Sequence, residues 1–151
     1  MDVYKHAKPS SRKDSGLVVV FRDYSELKKK DKVKPEDLDD DEWHEIMQHP
    51  EIGYRILSSV NGFSEIADFV LQHQEKWDGT GYPKSLKGED ITVQARIIGV
   101  AAAYDAMISE RLYGDTLTED EAVQEIKEHA GSQFDSYIAK AFVEKVLKKP
   151  W

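Results

Sequence analysis

The sequence predicts an all-α protein, a bundle of helices around a single core. Three observations carry that expectation. From Asp39 onward the apolar residues recur three and four positions apart, the period of one helix face. The segments with that period are punctuated by Pro50, Asn61-Gly62 and Gly131, residues that interrupt or end helices. Thr118 with Glu121 is a capping-box pattern, with Leu117 and Ala122 spaced as its hydrophobic staple.

The elements follow in chain order. The first fifteen residues are polar and read as a tail, with Pro9, Ser10, Ser11 and Arg12-Lys13-Asp14. Gly16 leads into Leu17-Val18-Val19-Val20-Phe21, a run too short for periodicity to separate strand from buried helix. Lys28-Lys29-Lys30 and Lys32 read as a solvated helix end or loop. Trp43, Ile46 and Met47 then share a face, behind an acidic start at Asp39 to Glu42 that suits the positive end of a helix. After Pro50 the face resumes with Ile52, Ile56 and Leu57 until Asn61-Gly62 stops it. Ile66, Phe69, Val70 and His73 form the next stripe, followed by a loop rich in glycine and proline from Asp78 to Asp90. Val93, Ile97, Val100, Ala101, Tyr104 and Ile108 mark a long helix. The small Ala102 and Ala103 beside them predict close packing on several sides. A helix from the capping box to near Gly131 and a last one with Phe134, Ile138, Phe142 and Val146 on one face complete the bundle.

Composition narrows the function classes. The chain has 151 residues, enough for one compact domain, and its hydrophobic and charged fractions of 40% and 33% are those of a soluble protein. No apolar run approaches the roughly 20 residues of a membrane span, and Met1 to His6 lack the layout of a signal peptide. With no cysteine, disulfides and thiolate metal sites are excluded, and a cytoplasmic location is expected. A formal charge of −8 argues against a protein that coats DNA or RNA, because such binding rests on cations meeting phosphates. A small nucleotide in a local pocket stays open.

Of the five histidines, two carry weight. His73 lies on an apolar stripe and points inward, where the common role of a lone histidine is that of a hydrogen-bonded core residue. His49 precedes Pro50 at the helix interruption and reads equally well as a surface residue. A metal centre in a helical bundle needs several histidines and carboxylates converging from facing helices, which spacing alone does not establish for these two. His6, His44 and His129 read as solvent-facing.

The glycine-rich loop is more specific. The stretch His73-Gln74-Glu75-Lys76-Trp77-Asp78-Gly79-Thr80-Gly81-Tyr82-Pro83 closely resembles the signature of the HD-GYP family, bacterial cyclic di-GMP phosphodiesterases. The likeness extends upstream through Asp40-Asp41-Glu42-Trp43 and Met47-Gln48-His49-Pro50-Glu51-Ile52-Gly53. Downstream it includes Ala95-Arg96-Ile97-Ile98, Tyr104-Asp105-Ala106-Met107 and Gly131-Ser132-Gln133-Phe134-Asp135. An ordered series of blocks over roughly residues 37 to 146 is far more specific than one short motif. The resemblance implies an HD-type bundle with the Gly-Tyr-Pro loop between central helices. It divides the chain into a divergent segment 1–36 and an HD-GYP-like domain 37–151.

The resemblance also implies a chemistry and shows where this chain departs from it. Family members bind two or three metals, usually iron or manganese, that activate a water against a phosphodiester. Their ligands include an early His-Asp pair, a histidine before proline, two adjacent histidines and an aspartate on the central helix. Here His49 and His73 match as remnant ligands, whereas Gln74 replaces the second adjacent histidine and Ala102 the central aspartate. Arg22-Asp23 stands where the early pair is expected, a cation in place of a histidine. No catalytic residue is therefore assigned, and iron or manganese is implied only where a ligand set is kept. Asp105, Glu75 and Asp23 are the candidates for compensating ligands. On the substrate side Tyr82 and Arg111 match nucleotide-contacting positions, but Gly114-Asp115 follows Tyr113 where basic residues are expected. The loop Gly79, Gly81, Tyr82 and Pro83 also matches a surface for protein partners such as diguanylate cyclases. Read simply as structure, it is a set of turns with Gly79 and Gly81 supplying permissive dihedrals and Trp77 packing on the bundle. Cyclic di-GMP, signalling proteins and a second copy of the chain are the partners left open.

Overall fold

The computed structural model describes residues 40–109 and 116–151. Residues 1–39, with Leu17 to Phe21, Arg22-Asp23 and the lysine run, lie outside the described residues, as do Arg111, Tyr113 and Gly114-Asp115. Among the described residues the protein is helical with no strand, apart from an isolated bridge between Ala130 and Phe134.

Helix α1 (Asp40–Met47) ends at Gln48, and α2 (His49–Ser58) begins at once. Pro50 sits in the first turn of α2, where its missing N–H leaves no hydrogen bond unmade. It starts a helix as much as it interrupts one. The chain leaves α2 through Gly62, whose φ of +84° only glycine adopts freely, and enters α3 (Ser64–Gln72). So short a connection folds α3 back along α2 as a helical hairpin. Leu57, Ala67 and Val70 are buried in this pair, with Tyr54 packed against them.

The inward face of α3 differs from the expected one. Ile66 is exposed and Phe69 half-buried, while Ala67, Val70, Leu71 and His73 face the interior. Ala67 has no exposed surface at all, so the helices meet at its small side chain and the contact line turns by one residue.

Helix α4 (Val93–Ile108) is joined to α3 at its start. The Thr92 N–H donates to the Gln72 side-chain oxygen at 2.8 Å, and the Thr92 hydroxyl oxygen caps Ala95. Its buried residues are Ala95 and Val100, whereas Val93, Ile97 and Ala101 are exposed, so the expected stripe is only partly inward. Helix α5 (Glu119–Glu128) opens on the expected capping box, complete in both directions. It ends at His129, and Gly131 (φ +91°) makes the turn beyond that end.

The last helix, α6 (Ser136–Ala141), is capped by Asp135 and runs into a π-helical turn, Phe142–Val146. The wider turn inserts an extra residue into the register. As a result Val143 is fully buried and Val146 is 63% exposed, against the expectation that Val146 faces inward. Val100, Val123, Ile126, Phe134, Ala139 and Val143 form the main core, and Tyr104 and Phe142 meet edge to face beside it. Among the described residues no helix is long and apolar enough to cross a membrane.

Candidate functional site

The hairpin brings the two matched histidines together. His49 opens α2 and His73 follows the last residue of α3, so folding the helices back on each other puts both at one end. Their Nε2 atoms lie 3.1 Å apart, and the rings meet at 65°. His73 is buried and His49 half-buried. The second histidine is what the bland reading of His73 lacked.

The opposite ring nitrogens fix the protonation. His49 Nδ1–H donates to the Ile46 carbonyl at 2.7 Å, and His73 Nδ1–H donates to the Val70 carbonyl at 2.6 Å. A carbonyl can only accept, so each Nδ1 carries a proton and each neutral ring presents a lone pair at Nε2. Burial pushes the His73 pKa down to about 4, opposed by the Val70 bond and assisted by repulsion from His49. Desolvation also lowers the pKa of His49. At neutral pH both rings are uncharged, with their Nε2 atoms turned toward each other.

As metal ligands the two fit. Nitrogens about 2.0–2.1 Å from one ion subtend roughly 95–100° at a 3.1 Å separation, within the range of neighbouring ligands. Anchoring Nδ1–H on a carbonyl is also how ligating imidazoles are oriented. The rest of the implied set does not assemble among the described residues. No group of three or more His, Asp or Glu is gathered there as a metal cluster. Gln74 is half-buried beside His73. Ala102 is half-buried one turn beyond Gly99 on α4, and a Cβ on Gly99 would lie 3.3 Å from the His73 carbonyl oxygen. Asp105 is exposed, and both carboxylate oxygens of Glu75 are engaged elsewhere. Asp23 lies outside the described residues. His44 and His129 are exposed, as expected.

The Gly81-Tyr82-Pro83 segment lies between α3 and α4 in the chain. The Tyr82 ring stands edge-on to His49 with centroids 6.2 Å apart, and its N–H donates to the Gln74 carbonyl at 3.3 Å. Pro83 follows through a cis peptide bond. Gly79 has φ +86° and needs its dihedral freedom, as expected. Gly81 is required for a different reason: a Cβ there would collide with the backbone of Gln74, Glu75 and Lys76. Two anchors hold the segment. The Glu75 carboxylate accepts the N–H groups of Lys84 at 2.7 Å and Leu86 at 2.9 Å. Trp77 and Asp78 donate their N–H groups to the Gln133 and Ser132 carbonyls. The Arg96 guanidinium lies 5.4 Å from the Trp77 ring centroid and pairs with Asp135 at 2.7 Å. Sequence reasoning placed Glu75 and Arg96 within matching blocks without finding these roles, since each depends on contacts between distant segments.

Comparison with known proteins follows the same outline. The HD domain family model matches residues 25–138. A cyclic di-GMP phosphodiesterase of Vibrio cholerae is 39% identical over 118 residues, covering 74% of this chain and 24% of that protein. The cyclic di-GMP phosphodiesterase response regulator RpfG of Xanthomonas campestris is 41% identical over 105 residues, covering 68% and 28% respectively. A cyclic di-GMP phosphodiesterase of Thermotoga maritima is 37% identical over 113 residues, covering 74% and 31%. The chain thus spans about a quarter to a third of the length of these curated relatives. Among solved structures, a cyclic GMP-AMP specific phosphodiesterase of Vibrio cholerae has a TM-score of 0.61 at 22% identity, over 91% of this chain and 34% of that one. That likeness speaks to the fold. With the helical architecture, the histidine pair and the signature loop already in place, the family match makes this chain a member of the HD-domain family, within its HD-GYP group.

Proposed function

We propose that this protein is a degenerate HD-GYP signalling domain that acts by holding a cyclic dinucleotide or a protein partner at the Tyr82 loop, without hydrolysing the nucleotide. The observation that carries the reading is the contrast between a firmly anchored loop and the residues at two ligand positions. Gln74 offers only a neutral amide, and Ala102 has no donor atom. Tyr82 supplies an aromatic face of the kind that stacks on nucleobases. Arg111 is assigned to a phosphate by its match to the family. Under this reading His49 and His73 are remnants of a metal centre that took iron or manganese, the domain proper is 37–151, and the setting is the cytoplasm. The protein partners are those of a cyclic di-GMP pathway, diguanylate cyclases included.

One observation favours a second reading, an active metal-dependent phosphodiesterase with compensating ligands. The spacing and tautomers of the histidine pair suit two sites on one ion. Metal analysis of the purified protein, with a cyclic di-GMP hydrolysis assay in added manganese or iron, separates the two. Stoichiometric metal together with linear dinucleotide product would refute the degenerate reading. Calorimetric titration with cyclic di-GMP then divides nucleotide binding from a role confined to protein contacts.

A further inference from the structure

We propose that Glu75 is a positioning residue whose carboxylate fixes the Tyr82 ring against His49. This rests on the reading of Tyr82 as the contact surface and names what sets its geometry.

The starting point is a buried charge without a cationic partner. Glu75 is 9% exposed, yet among the described residues its two oxygens go to the Lys84 and Leu86 backbone amides and to no basic side chain. A charge removed from water is costly unless hydrogen bonds replace its hydration, and here two do. Loop closure alone does not need a charge, since neutral groups accept amide hydrogens too. What a carboxylate adds is two acceptors in one rigid plane, taking two N–H groups that bracket Ser85, a residue at φ +53°. The strap that follows Tyr82-Pro83 therefore has one register on Glu75.

The strand of chain before it is fixed on the same three residues. The Tyr82 N–H reaches the Gln74 carbonyl, and Gly81 lies so close to the Glu75 and Lys76 backbone that no side chain fits between them. Residues 81–86 are thus laid along 74–76, directly after His73. Tyr82 can turn edge-on to His49 only while that strap holds. Glu75 acts through the backbone amides that its carboxylate holds.

The test uses the full chain, labelled for NMR, without nucleotide. In Glu75→Gln one amide N–H faces an NH2 group in place of an oxygen. The expected result is loss of the nuclear Overhauser contact between the Tyr82 and His49 rings. The His49 ring-proton shift should move to its value in Tyr82→Leu, while contacts between His49 and His73 persist. Amide exchange at Lys84 and Leu86 should rise about 10- to 100-fold, the equivalent of a hydrogen bond to a charged group. If the Tyr82–His49 contact and the His49 shift survive while only the melting temperature falls, the positioning role is refuted and Glu75 is merely structural. Should the variant fail to fold, the wild-type amides decide: Lys84 and Leu86 must be protected, and exchange at the rate of a free amide overturns the proposal. Failure of cyclic di-GMP to bind bears on the proposed function alone, because the ring contact is measured without it.

Discussion

Acidification should destabilise this protein through His73, and the effect can be sized. The group has a pKa of about 4 in the folded protein, lowered mainly by burial, against 6.5 for an exposed imidazole. A lowered histidine pKa means that the unfolded chain binds the proton more readily. Stability is therefore full above pH 6.5, falls as pH drops toward 4, and changes no further below it on account of this group. The difference of about 2.5 units corresponds to roughly 3 kcal/mol at most. With a urea slope of about 1–3 kcal/mol per M, the denaturation midpoint should drop by about 1–3 M across that window. Carboxylates also titrate near its lower end, so the measurement is a comparison with His73→Gln, both proteins in excess EDTA to keep metal from competing with the proton. The wild type should lose stability between pH 6.5 and 4.5 that the variant does not lose. Parallel profiles would refute the account of His73 as a buried neutral ring. His49, also lowered by burial, adds to the effect in the same direction.

Three further outcomes follow from the packing. Gly81→Ala should displace the Tyr82 loop, since its Cβ meets the Gln74 and Glu75 backbone; the Tyr82–His49 ring contact should vanish, and its persistence would show that the loop tolerates the methyl group. Arg96→Met should lower stability by about 2–4 kcal/mol in urea denaturation, because it leaves the largely buried Asp135 carboxylate with only its capping bonds. Thr118→Ala removes one half of a complete capping box and should cost about 1 kcal/mol by the same assay.

Much of the fold was legible in the sequence, and the misses share a cause. The capping box needs only Thr118 and Glu121 three residues apart, and the stop at Gly62 needs only one residue's dihedral freedom, so both are local and both are found. Faces are another matter. A helical stripe of mixed apolar residues allows more than one inward line, and the partner chooses. On α3 the choice fell on Ala67 because a small side chain permits close approach. On the last helix a π turn altered the period itself, so Val146, inward when the face is extrapolated by fours, lies at the surface and Val143 takes its place. The site divides the same way. Each histidine could be placed on its element, but their 3.1 Å meeting depends on the register of the α2–α3 hairpin, which no local pattern encodes.

The geometry also explains how the signature loop and a metal ligand set can part company. The groups that hold the loop are the Glu75 carboxylate, the Gln74, Ser132 and Gln133 carbonyls, and the Arg96–Asp135 pair beside Trp77. Gln74 contributes there through its backbone, which any residue supplies, and Ala102 has no part in it. The hairpin in turn packs through Leu57, Ala67 and Val70, none of them a ligand position. Exchanging a ligand at 74 or 102 therefore removes no contact on which the bundle or the loop depends. Restoring both, Gln74→His with Ala102→Asp, should accordingly leave the melting temperature within a few degrees of the parent in EDTA. If metal uptake then appears in the double variant and not in the parent, those two positions decide whether the histidine pair holds a metal. If uptake fails in a folded double variant, histidine at 74 and aspartate at 102 do not suffice to complete a ligand set with His49 and His73.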